Sequence, residues 1–305
     1  MMYNFTVEEY ETIIKRWGEN FYSKLPNKIA HCEEKWELYS LSMVNYFAVN
    51  CIFKCKSQLF GDAVLKIGTG YPPLFAEMNV LREYNGKRFC KLYDFDSGNN
   101  VILEECVMPG DTLWNGTTRE DRIAIFTSVY DDLHIAPMDS EIYPTYLDWI
   151  LRCEKYSVGN DNMEIHKLTL KAKELYQSIT SEYSRKMLLH GDLHHYNILL
   201  RGDKTYAIID PKGVVGDPVF DIAMFIFMEF NTLGAGIIFS EELYSDMEYF
   251  VHYLSQKTSI SEKTIKQCFY IQTIVHLGDG LENYPNPNYI KQLMNNISHA
   301  EKLLP

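Results

Sequence analysis

The stretch HGDLHHYNILLRGDKTYAIIDPKGVVGDPVFD, residues 190–221, says most about how this chain folds. It contains two short apolar runs, NILL at 197–200 and YAII at 206–209, and a third run at 186–189 ends just before it. Gly, Asp or Lys bounds each run, which is typical of strands joined by tight turns. The sequence therefore predicts three short strands in close succession.

Three oxygen-bearing side chains fall at the ends of these segments. Asp192 lies on the loop before the second segment, and Asn197 begins that segment. Asp210 ends the third segment, directly before Pro211, which disfavours helix at the preceding residue. The three side chains can therefore converge on one pocket. Asn197 and Asp210 offer hard oxygen ligands of the kind that Mg²⁺ takes beside nucleotide phosphates, and Asp192 can orient a hydroxyl group and accept its proton.

The order of these residues resembles the active site of protein kinases, where His-x-Asp-x-x-x-x-Asn precedes an Asp on the next hairpin. The matching positions here are His190, Asp192, Asn197 and Asp210. HGDLHHYN and IDPKGVVGDPVFDIA differ from the protein-kinase motifs and resemble the aminoglycoside phosphotransferase family. Within that family, the tetrapeptide DPKG resembles the branch of streptomycin 6-phosphotransferases and hydroxyurea-type resistance kinases.

The resemblance implies an α+β, two-lobed, protein-kinase-like fold with a small antiparallel-sheet N-lobe and a larger, mainly helical C-lobe. It implies a nucleotide-binding lobe over residues 1–107 and a catalytic and acceptor-binding lobe over residues 108–305. The implied cofactors are ATP and Mg²⁺. Asn197 and Asp210 would hold the metal, and Asp192 would be the catalytic carboxylate.

A zinc site of the hydrolase kind is the alternative for the same stretch, because His and Asp are common zinc ligands. Its candidates, His190, Asp192, His194 and His195, lie within six positions. That interpretation gives no role to Asn197 or to the downstream aspartate. We therefore expect His194 and His195 to be packing or hydrogen-bonding residues.

A kinase-like site also requires a strand-borne Lys for the phosphates and a helix-borne Glu that holds this Lys. DAVLKIG at 62–68 is a short apolar strand that carries Lys66, and residues 74–86 place apolar side chains at helical spacing. Glu77 lies in the first turns of that helix, so we predict a Lys66–Glu77 ion pair. The alternative is two solvated surface charges, which is the usual state of these residue types.

Upstream of this strand, residues 37–60 alternate apolar and polar positions, which predicts two antiparallel strands around a turn near 56–58. In the family, the turn before these strands covers the nucleotide phosphates. Ser40, Ser42 and Asn45 occupy the region here, and Ser42 is the candidate phosphate contact. The sequence contains no G-x-G-x-x-G of the protein-kinase type.

Two connecting segments bear on nucleotide binding. GTGYPP at 68–73 lacks the Lys-Ser/Thr ending of a P-loop, so a Walker-type nucleotide fold is not supported. VILEECVMPGDTLW at 101–114 reads as an apolar strand that runs into a Pro-Gly turn. The resemblance places the hinge between the lobes there, with backbone groups from Glu105 to Val107 facing the adenine.

Helical periodicity dominates the rest of the chain. We predict helices over residues 118–137, 221–230, 240–256 and 261–277. DIAMFIFMEF at 221–230 is apolar on nearly all sides, which indicates a buried helix. We expect Asp221 to be a structural anchor that caps N–H groups or braces the catalytic loop.

Composition agrees with a globular enzyme. The chain has 305 residues and 46% hydrophobic content, enough for two lobes. No apolar run approaches the ~20 residues of a membrane span, and MMYNFTVEEYE lacks a signal pattern. We therefore expect a cytoplasmic protein without membrane contacts. Its seven cysteines, without a C-x-x-C pair, fit reduced thiols.

The net charge of −12, from 29 basic and 41 acidic residues, argues against nucleic acid as a partner. It suits a small cationic acceptor; the sequence does not predict the oligomeric state. HLGDGLENYP at 276–285 resembles a family segment near the substrate pocket, which implies Asp279 and Glu282 as acceptor contacts, with Glu229 third. The alternative is that all three are ordinary solvated carboxylates.

The resemblance implies a small-molecule kinase that transfers the γ-phosphoryl group of ATP to a hydroxyl of an aminoglycoside-like substrate. Lys66 would contact the phosphates. Lys212, two residues beyond Asp210, could add positive charge near the transferring group or pair with a nearby acid, and we favour the pairing. A kinase for a sugar, a choline-like amine or a macrolide is the nearest alternative, because fold does not fix the acceptor. A nucleotide-binding regulatory protein without transfer activity is another.

Overall fold

The computed structural model describes residues 3–44, 49–69, 74–157, 163–183, 185–231 and 241–304, with only the backbone at position 157. The chain forms two compact units. The first unit consists of Met1–Gly110 and Leu200–Ile209, and the second of Asp111–Leu199 and Asp210–Pro305. The hairpin tip at Leu200–Ile209 thus belongs to the first unit, although the chain around it belongs to the second.

The N-terminal part of the chain contains both helices and strands, and helices prevail later. In chain order the described elements are α1 (Val7–Trp17), α2 (Glu19–Trp36), β1 (Leu38–Met43), β2 (Cys51–Ser57), β3 (Gly61–Ile67), α3 (Phe75–Tyr84), β4 (Leu92–Asp96), β5 (Val101–Glu105), β6 (Pro109–Thr112), α4 (Arg119–Tyr130), α5 (Tyr146–Leu151), α6 (Glu154–Ser157), α7 (Met163–Glu182), β7 (Met187–Leu189), β8 (Ile198–Arg201), β9 (Tyr206–Ile208), β10 (Val214–Gly216), α8 (Val219–Phe230), α9 (Glu241–Thr258), α10 (Glu262–Asn283) and α11 (Pro287–Leu303). None of these helices is both long and apolar enough to span a bilayer.

The first unit is built on a five-stranded antiparallel sheet with the order β1-β2-β3-β5-β4. Strand β2 buries Cys51, Phe53 and Cys55 and exposes the intervening Lys54, as expected when alternate side chains point to opposite faces. Helix α2 packs on that buried face. Its core residues recur at helical spacing and are Leu25, Ile29, Cys32 and Trp36.

The sequence predicts two strands within residues 37–60 that are joined by a turn near 56–58. The position of this turn is wrong. Strand β1 ends at Met43, and residues 58–60 instead connect β2 to β3. Ser57 explains the position of this turn, because its Oγ accepts from the Leu59 and Phe60 N–H groups at 3.1 and 3.3 Å. The predicted positions Asn45 and 70–73 lie outside the described residues.

The predicted short strands are divided between the two units: β7 belongs to the second, β9 to the first, and β8 spans the boundary at Leu200. Segments β7, β8 and β9 confirm the three runs predicted from the sequence. Strand β7 pairs antiparallel with β10, and Val214 stands opposite Leu189. In addition, the Leu113 N–H donates to the Ile198 carbonyl at 2.8 Å, which attaches β8 to the chain that follows β6.

Helices α8 and α10 form the core of the second unit. Eleven of the twelve residues of α8 are buried, which confirms the predicted buried helix. Phe225 of α8 stacks on Phe126 of α4 with ring centroids 3.9 Å apart. Phe220 of α8 stacks on Tyr146 of α5 at 3.8 Å. These aromatic contacts tie three helices together.

The predicted helices are confirmed, with shifted ends. Helix α4 stops at Tyr130 and does not reach residue 137. Helix α9 is described from Glu241 to Thr258, two residues beyond the predicted end, and residue 240 lies outside the described part. Helix α10 continues to Asn283, six residues beyond the prediction. Gly280 in this extension lies close to α11, since a Cβ there would be 2.5 Å from Leu293 Cδ1. The predicted α+β class is confirmed.

Candidate active site

The loop that follows β7 is held by one buried carboxylate. Asp221, the third residue of α8, accepts hydrogen bonds from the backbone N–H groups of His190 and Gly191 at 3.0 and 2.9 Å. His134 Nε2 lies 2.9 Å from Asp221 Oδ2. The prediction that Asp221 braces this loop is therefore confirmed.

Gly191 lies where only glycine fits. Its φ is +77°, and a Cβ at this position would lie 2.5 Å from Cη2 of Trp149. Both the backbone conformation and the close approach of the indole exclude a side chain. This explains why the loop reads His-Gly-Asp and has no larger residue between the histidine and the aspartate.

Asp192 is fixed by its backbone and paired through its carboxylate. Its N–H donates to His190 Nδ1 at 3.0 Å. Its Oδ2 lies 3.1 Å from Lys212 Nζ, and its Oδ1 lies 3.6 Å from His194 Nε2. Desolvation acts to raise the pKa of Asp192, but the Lys212 ammonium and neighbouring histidines lower it to about 2. Asp192 is therefore ionised at neutral pH, and the prediction that Lys212 pairs with a nearby acid is confirmed.

His194 and His195 are structural, as predicted. His194 Nδ1 accepts the Tyr196 N–H at 3.2 Å. Burial lowers the pKa of His194 to about 4, so its ring is neutral at pH 7. The His195 ring is buried and packs on Trp114, with centroids 4.7 Å apart.

The same hydrogen bonds argue against a zinc site on this loop. Zinc would need imidazole nitrogens with free lone pairs. Nδ1 of His190 and Nδ1 of His194 already accept the backbone N–H groups of Asp192 and Tyr196. The arrangement thus uses these histidines to shape the loop.

Asn197 and Asp210 fit the donor set of a magnesium site. The Asn197 Nδ2 group donates to the Asp192 carbonyl at 3.0 Å, which orients the amide so that Oδ1 is the atom left to act as a ligand. Asp210 adopts a left-handed backbone with φ +57°, a conformation that is uncommon for non-glycine residues and that Asp tolerates better than most. An amide oxygen and a carboxylate are the hard ligands that Mg²⁺ prefers.

The residues after Asp210 connect this site to the loop. The N–H groups of Lys212 and Gly213 donate to the His190 carbonyl at 2.9 and 3.2 Å. Because Asp221 holds His190 on its other side, the segment that carries Lys212 is fixed to the segment that carries Asp192. Within the second unit, backbone hydrogen bonds therefore hold Asp192 and Lys212 in one cluster, named here the Asp192 cluster.

Lys66 in the first unit is buried between two carboxylates. Its Nζ lies 2.5 Å from Glu77 Oε1, which confirms the predicted ion pair. It also lies 2.9 Å from Glu104 Oε1, a contact that the prediction missed. The side chains of all three residues are almost wholly removed from solvent.

A sequence signal for Glu104 existed. It belongs to β5, VILEE, where the four residues from Val101 to Glu104 are all buried. A carboxylate in such an apolar strand needs a buried cation, and β5 lies beside β3, which carries Lys66. The neighbouring strand order was not available from the sequence, so the partner could not be identified.

The side chain of Glu105 is engaged by Arg201. Arg201 donates to both Glu105 carboxylate oxygens, at 2.7 and 3.0 Å. The Glu105 N–H donates to the Lys91 carbonyl at 2.8 Å, and the Cys106 N–H donates to the Asp62 carbonyl at 3.3 Å. The residues around this ion pair line a cavity of about 410 Å³ in the first unit.

Val107 and Ser42 differ in exposure. Val107 follows Cys106 and is buried, with 6% of its surface exposed. Ser42 is exposed on β1, where it stands opposite Lys54 of β2 after a break in the strand register. The roles expected of them, adenine recognition for Val107 and phosphate contact for Ser42, stay predictions.

Asp279 and Glu282 lie three residues apart on α10 and share cationic neighbours. Asp279 Oδ1 lies 4.0 Å from Arg152, and Glu282 lies 3.9 Å from Arg152 and 3.8 Å from Lys155. Partial desolvation acts to lower the pKa of Lys212, but the Asp192 and Asp279 carboxylates raise it. Asp279 is therefore electrostatically coupled to the Asp192 cluster.

Glu229 does not line an open surface, which counts against its expected role as an acceptor contact. Its carboxylate is fully buried on α8, with both oxygens hydrogen-bonded to the Arg122 guanidinium. Arg119 approaches the same carboxylate at 3.5 Å. Because these cations already neutralise it, Glu229 serves to tie α8 to α4.

Known sequences and structures share this arrangement of elements. A family profile described as aminoglycoside/hydroxyurea antibiotic resistance kinase matches residues 62–233, more than half of the chain. The streptomycin 6-kinase of Streptomyces griseus is 23% identical over 218 residues, which cover 67% of this chain and 67% of that protein.

Two of the solved structures that resemble the chain are a choline kinase and an aminoglycoside phosphotransferase. Choline kinase LicA from Streptococcus pneumoniae matches with a TM-score of 0.64 at 15% identity, covering 91% of this chain and 98% of that one. A thermostable mutant of the aminoglycoside phosphotransferase APH(4)-Ia, in a ternary complex with ADP and hygromycin B, matches with a TM-score of 0.59 at 14% identity, covering 90% and 96%. The predicted protein-kinase-like fold is confirmed.

Proposed function

Because the chain belongs to the aminoglycoside/hydroxyurea antibiotic resistance kinase family, we propose that it transfers the γ-phosphoryl group of ATP to a hydroxyl group of an aminoglycoside-like cationic acceptor. The observation that carries this proposal is the Asp192 carboxylate. It is ionised, held in place by the loop, and one-fifth exposed, so a ligand can reach it.

Asp192 acts by orientation. Its low pKa makes it a weak base, so its main contribution is a charge-assisted hydrogen bond that aligns the acceptor hydroxyl. Phosphoryl transfer proceeds through a loose transition state, in which the hydroxyl proton leaves late. Positioning of the attacking oxygen then accounts for much of the rate enhancement.

Asn197 and Asp210 hold Mg²⁺ in this proposal. The metal would neutralise charge on the nucleotide phosphates when bound. The hydrogen bond from Asn197 Nδ2 to the Asp192 carbonyl supports the assignment, because it fixes the amide oxygen as the ligand atom. The same bond couples the metal ligand to the backbone of the residue that orients the hydroxyl group.

The first unit supplies the nucleotide contacts in this proposal. Lys66, fixed by Glu77, contacts the phosphates, and Ser42 adds a hydroxyl donor. Backbone groups of Glu105 and Val107 recognise the adenine. The presence of ADP in the APH(4)-Ia complex supports nucleotide binding by this fold. We place the reaction in the cytoplasm, because ATP is available there.

The acceptor binds in this proposal near Asp279 and Glu282. Arg152 and Lys155 lie at the outer range of ion pairing, 3.8 to 4.0 Å from these carboxylates, and both acidic side chains are about one-third exposed. Such loosely paired surface carboxylates can exchange a protein cation for a ligand ammonium at little cost. This supports a cationic acceptor.

A coupled ADP-release assay tests the proposal. A panel of aminoglycosides, amino alcohols, sugars and macrolides is offered with Mg²⁺-ATP, and release of ADP that depends on an aminoglycoside is the expected result. Turnover with another acceptor alone identifies a different metabolite kinase. ATP binding without turnover on any acceptor indicates a regulatory protein, and both outcomes contradict the proposal.

The variant Asp192→Asn tests whether Asp192 orients the acceptor hydroxyl without taking part in nucleotide binding. The variant should lose acceptor-dependent ADP release while binding ADP with unchanged affinity, because Asp192 contacts the acceptor and the nucleotide is held by other residues. Asp139→Asn provides a matched control, since Asp139 is exposed and its Oδ1 accepts from the Glu141 N–H at 3.0 Å. Equal turnover by the Asp192 variant would remove this residue from the mechanism.

A further inference from the structure

Lys212 stands beside the residue that orients the acceptor. Its Nζ lies 3.1 Å from Asp192 Oδ2, and its side chain is 52% exposed. Its backbone is fixed, because the Lys212 N–H donates to the His190 carbonyl. A half-exposed ammonium, on a backbone held by a hydrogen bond, is thus placed beside the Asp192 carboxylate.

The position of this ammonium relative to the reaction follows from the proposed function, on which the inference rests. A hydroxyl hydrogen-bonded to Asp192 Oδ2, the oxygen that Lys212 contacts, lies about 2.7 Å from that oxygen. Lys212 Nζ is then at most about 6 Å from the hydroxyl oxygen even before its side chain moves. The phosphoryl group becomes bonded to that same oxygen, so its oxygens come within reach of the ammonium.

We propose that Lys212 is a catalytic residue that donates a hydrogen bond to an oxygen of the phosphoryl group during transfer. The bond between the γ-phosphorus and the bridging oxygen of ATP breaks, and a bond from the acceptor oxygen to that phosphorus forms. The hydroxyl proton passes to Asp192 and then to water. Lys212 keeps its proton throughout, and its charge offsets the charge that spreads over the phosphoryl oxygens.

A purely positioning role for the Lys212–Asp192 pair accounts less well for the structure. The backbone of Asp192 is already fixed by His190, and Asn197 Nδ2 bonds to its carbonyl. An ion pair with a half-exposed lysine adds little further rigidity, because solvent screens it and side-chain entropy opposes it. The exposure of Lys212 is instead what a group needs if it must move toward a ligand.

A double-mutant cycle tests the proposal. Phosphoryl transfer is measured in single turnover for the wild type, Lys212→Met, Asp192→Asn and the double variant. We expect Lys212→Met to slow transfer about 100-fold, and by a similar factor in the Asp192→Asn background. ADP affinity should be unchanged in all four proteins. Lys212→Arg should recover part of the rate, because it restores the charge.

Lys171→Met is the matched control for loss of one positive charge, since Lys171 pairs with Glu301 on the surface of the same unit. Its transfer rate should equal that of the wild type. If Lys212→Met has no effect in the Asp192→Asn background, Lys212 acts only through Asp192, and the proposal fails. It also fails if Lys212→Met alone transfers at the wild-type rate.

The affinity of the protein for the phosphorylated acceptor provides a second measurement, which does not require the variants to retain activity. The phosphorylated acceptor, purified from the wild-type reaction, should bind Lys212→Met at least tenfold more weakly, while the unmodified acceptor binds with unchanged affinity. Equal losses for both ligands contradict the proposal. A wild type without acceptor turnover contradicts the proposed function instead, and the rate of ATP hydrolysis by water then tests Lys212 in the same variants.

Discussion

Lys66 and Glu77 form a buried ion pair in the first unit, with 2.5 Å between Lys66 Nζ and Glu77 Oε1. Glu104 adds a second carboxylate 2.9 Å from the same Nζ. One ammonium therefore serves two carboxylates in a place that water hardly reaches. The arrangement makes Lys66 a structural requirement of the sheet as well as the proposed phosphate contact.

Lys66→Met should destabilise the protein strongly, because it leaves two buried carboxylates without their cation. The expected loss in the free energy of unfolding is about 3–5 kcal/mol, measured by guanidinium unfolding at pH 7. Lys56→Met on the same sheet is the control, since Lys56 pairs with Asp62 at 3.2 Å with both side chains about half exposed. A similar small loss in both variants would show that the buried cluster does not need Lys66.

Gly191→Ala should reduce the free energy of unfolding more than Gly116→Ala, a substitution at a similar φ. A Cβ at position 191 would meet Trp149 at 2.5 Å, so overpacking adds to the strain of φ +77°. We expect a loss of about 3 kcal/mol and reduced turnover, because Asp192 follows directly. Gly116→Ala, at φ +70° with nothing within 4 Å, isolates the backbone contribution of about 1 kcal/mol. Equal thermal unfolding midpoints for the two variants would rule out the clash with Trp149.

The loop that carries Asp192 could be predicted because its polar residues lie in one contiguous stretch of sequence. Asp192, Asn197 and Asp210 sit at strand ends that short apolar runs reveal, and the structure places those strands as expected. Asp221 was predicted as an anchor from its position at a helix start, and it braces the loop. Local periodicity and turn residues carry this information in the sequence itself.

Contacts between distant elements could not be predicted in the same way. His134 reaches Asp221 across 87 positions, and Glu104 reaches Lys66 through the pairing of β5 with β3. Glu229 is predicted from the sequence as a third acceptor contact, because nothing in its own helix shows that Arg122 of α4 lies against it. Strand order and helix packing decide such partners, and neither follows from one sequence.

Asp279→Asn should weaken binding of a cationic acceptor and leave the chemistry intact. Loss of one partly exposed carboxylate corresponds to about 1 kcal/mol, so we expect an acceptor KM raised about fivefold to tenfold with kcat within twofold. Glu248→Gln is the control, because Glu248 pairs with Lys266 on the surface of the same unit. Kinetics with the best acceptor from the panel decide the matter, and a change in kcat without a change in KM would place Asp279 outside the acceptor site.

Acidification should destabilise the protein through its buried histidines, of which His195 is the clearest. Burial lowers the pKa of His195 to about 3, against about 6.5 when unfolded, so the native state binds fewer protons between these values. Its contribution to stability is therefore complete above pH 6.5 and is lost as the pH falls toward 3. Between pH 6 and pH 4, His195→Gln should reduce the slope of unfolding free energy against pH by about 1 kcal/mol per pH unit. His166→Gln, an exposed site on α7, controls for replacing a histidine, and identical slopes for the wild type and His195→Gln would show that His195 is protonated in the fold.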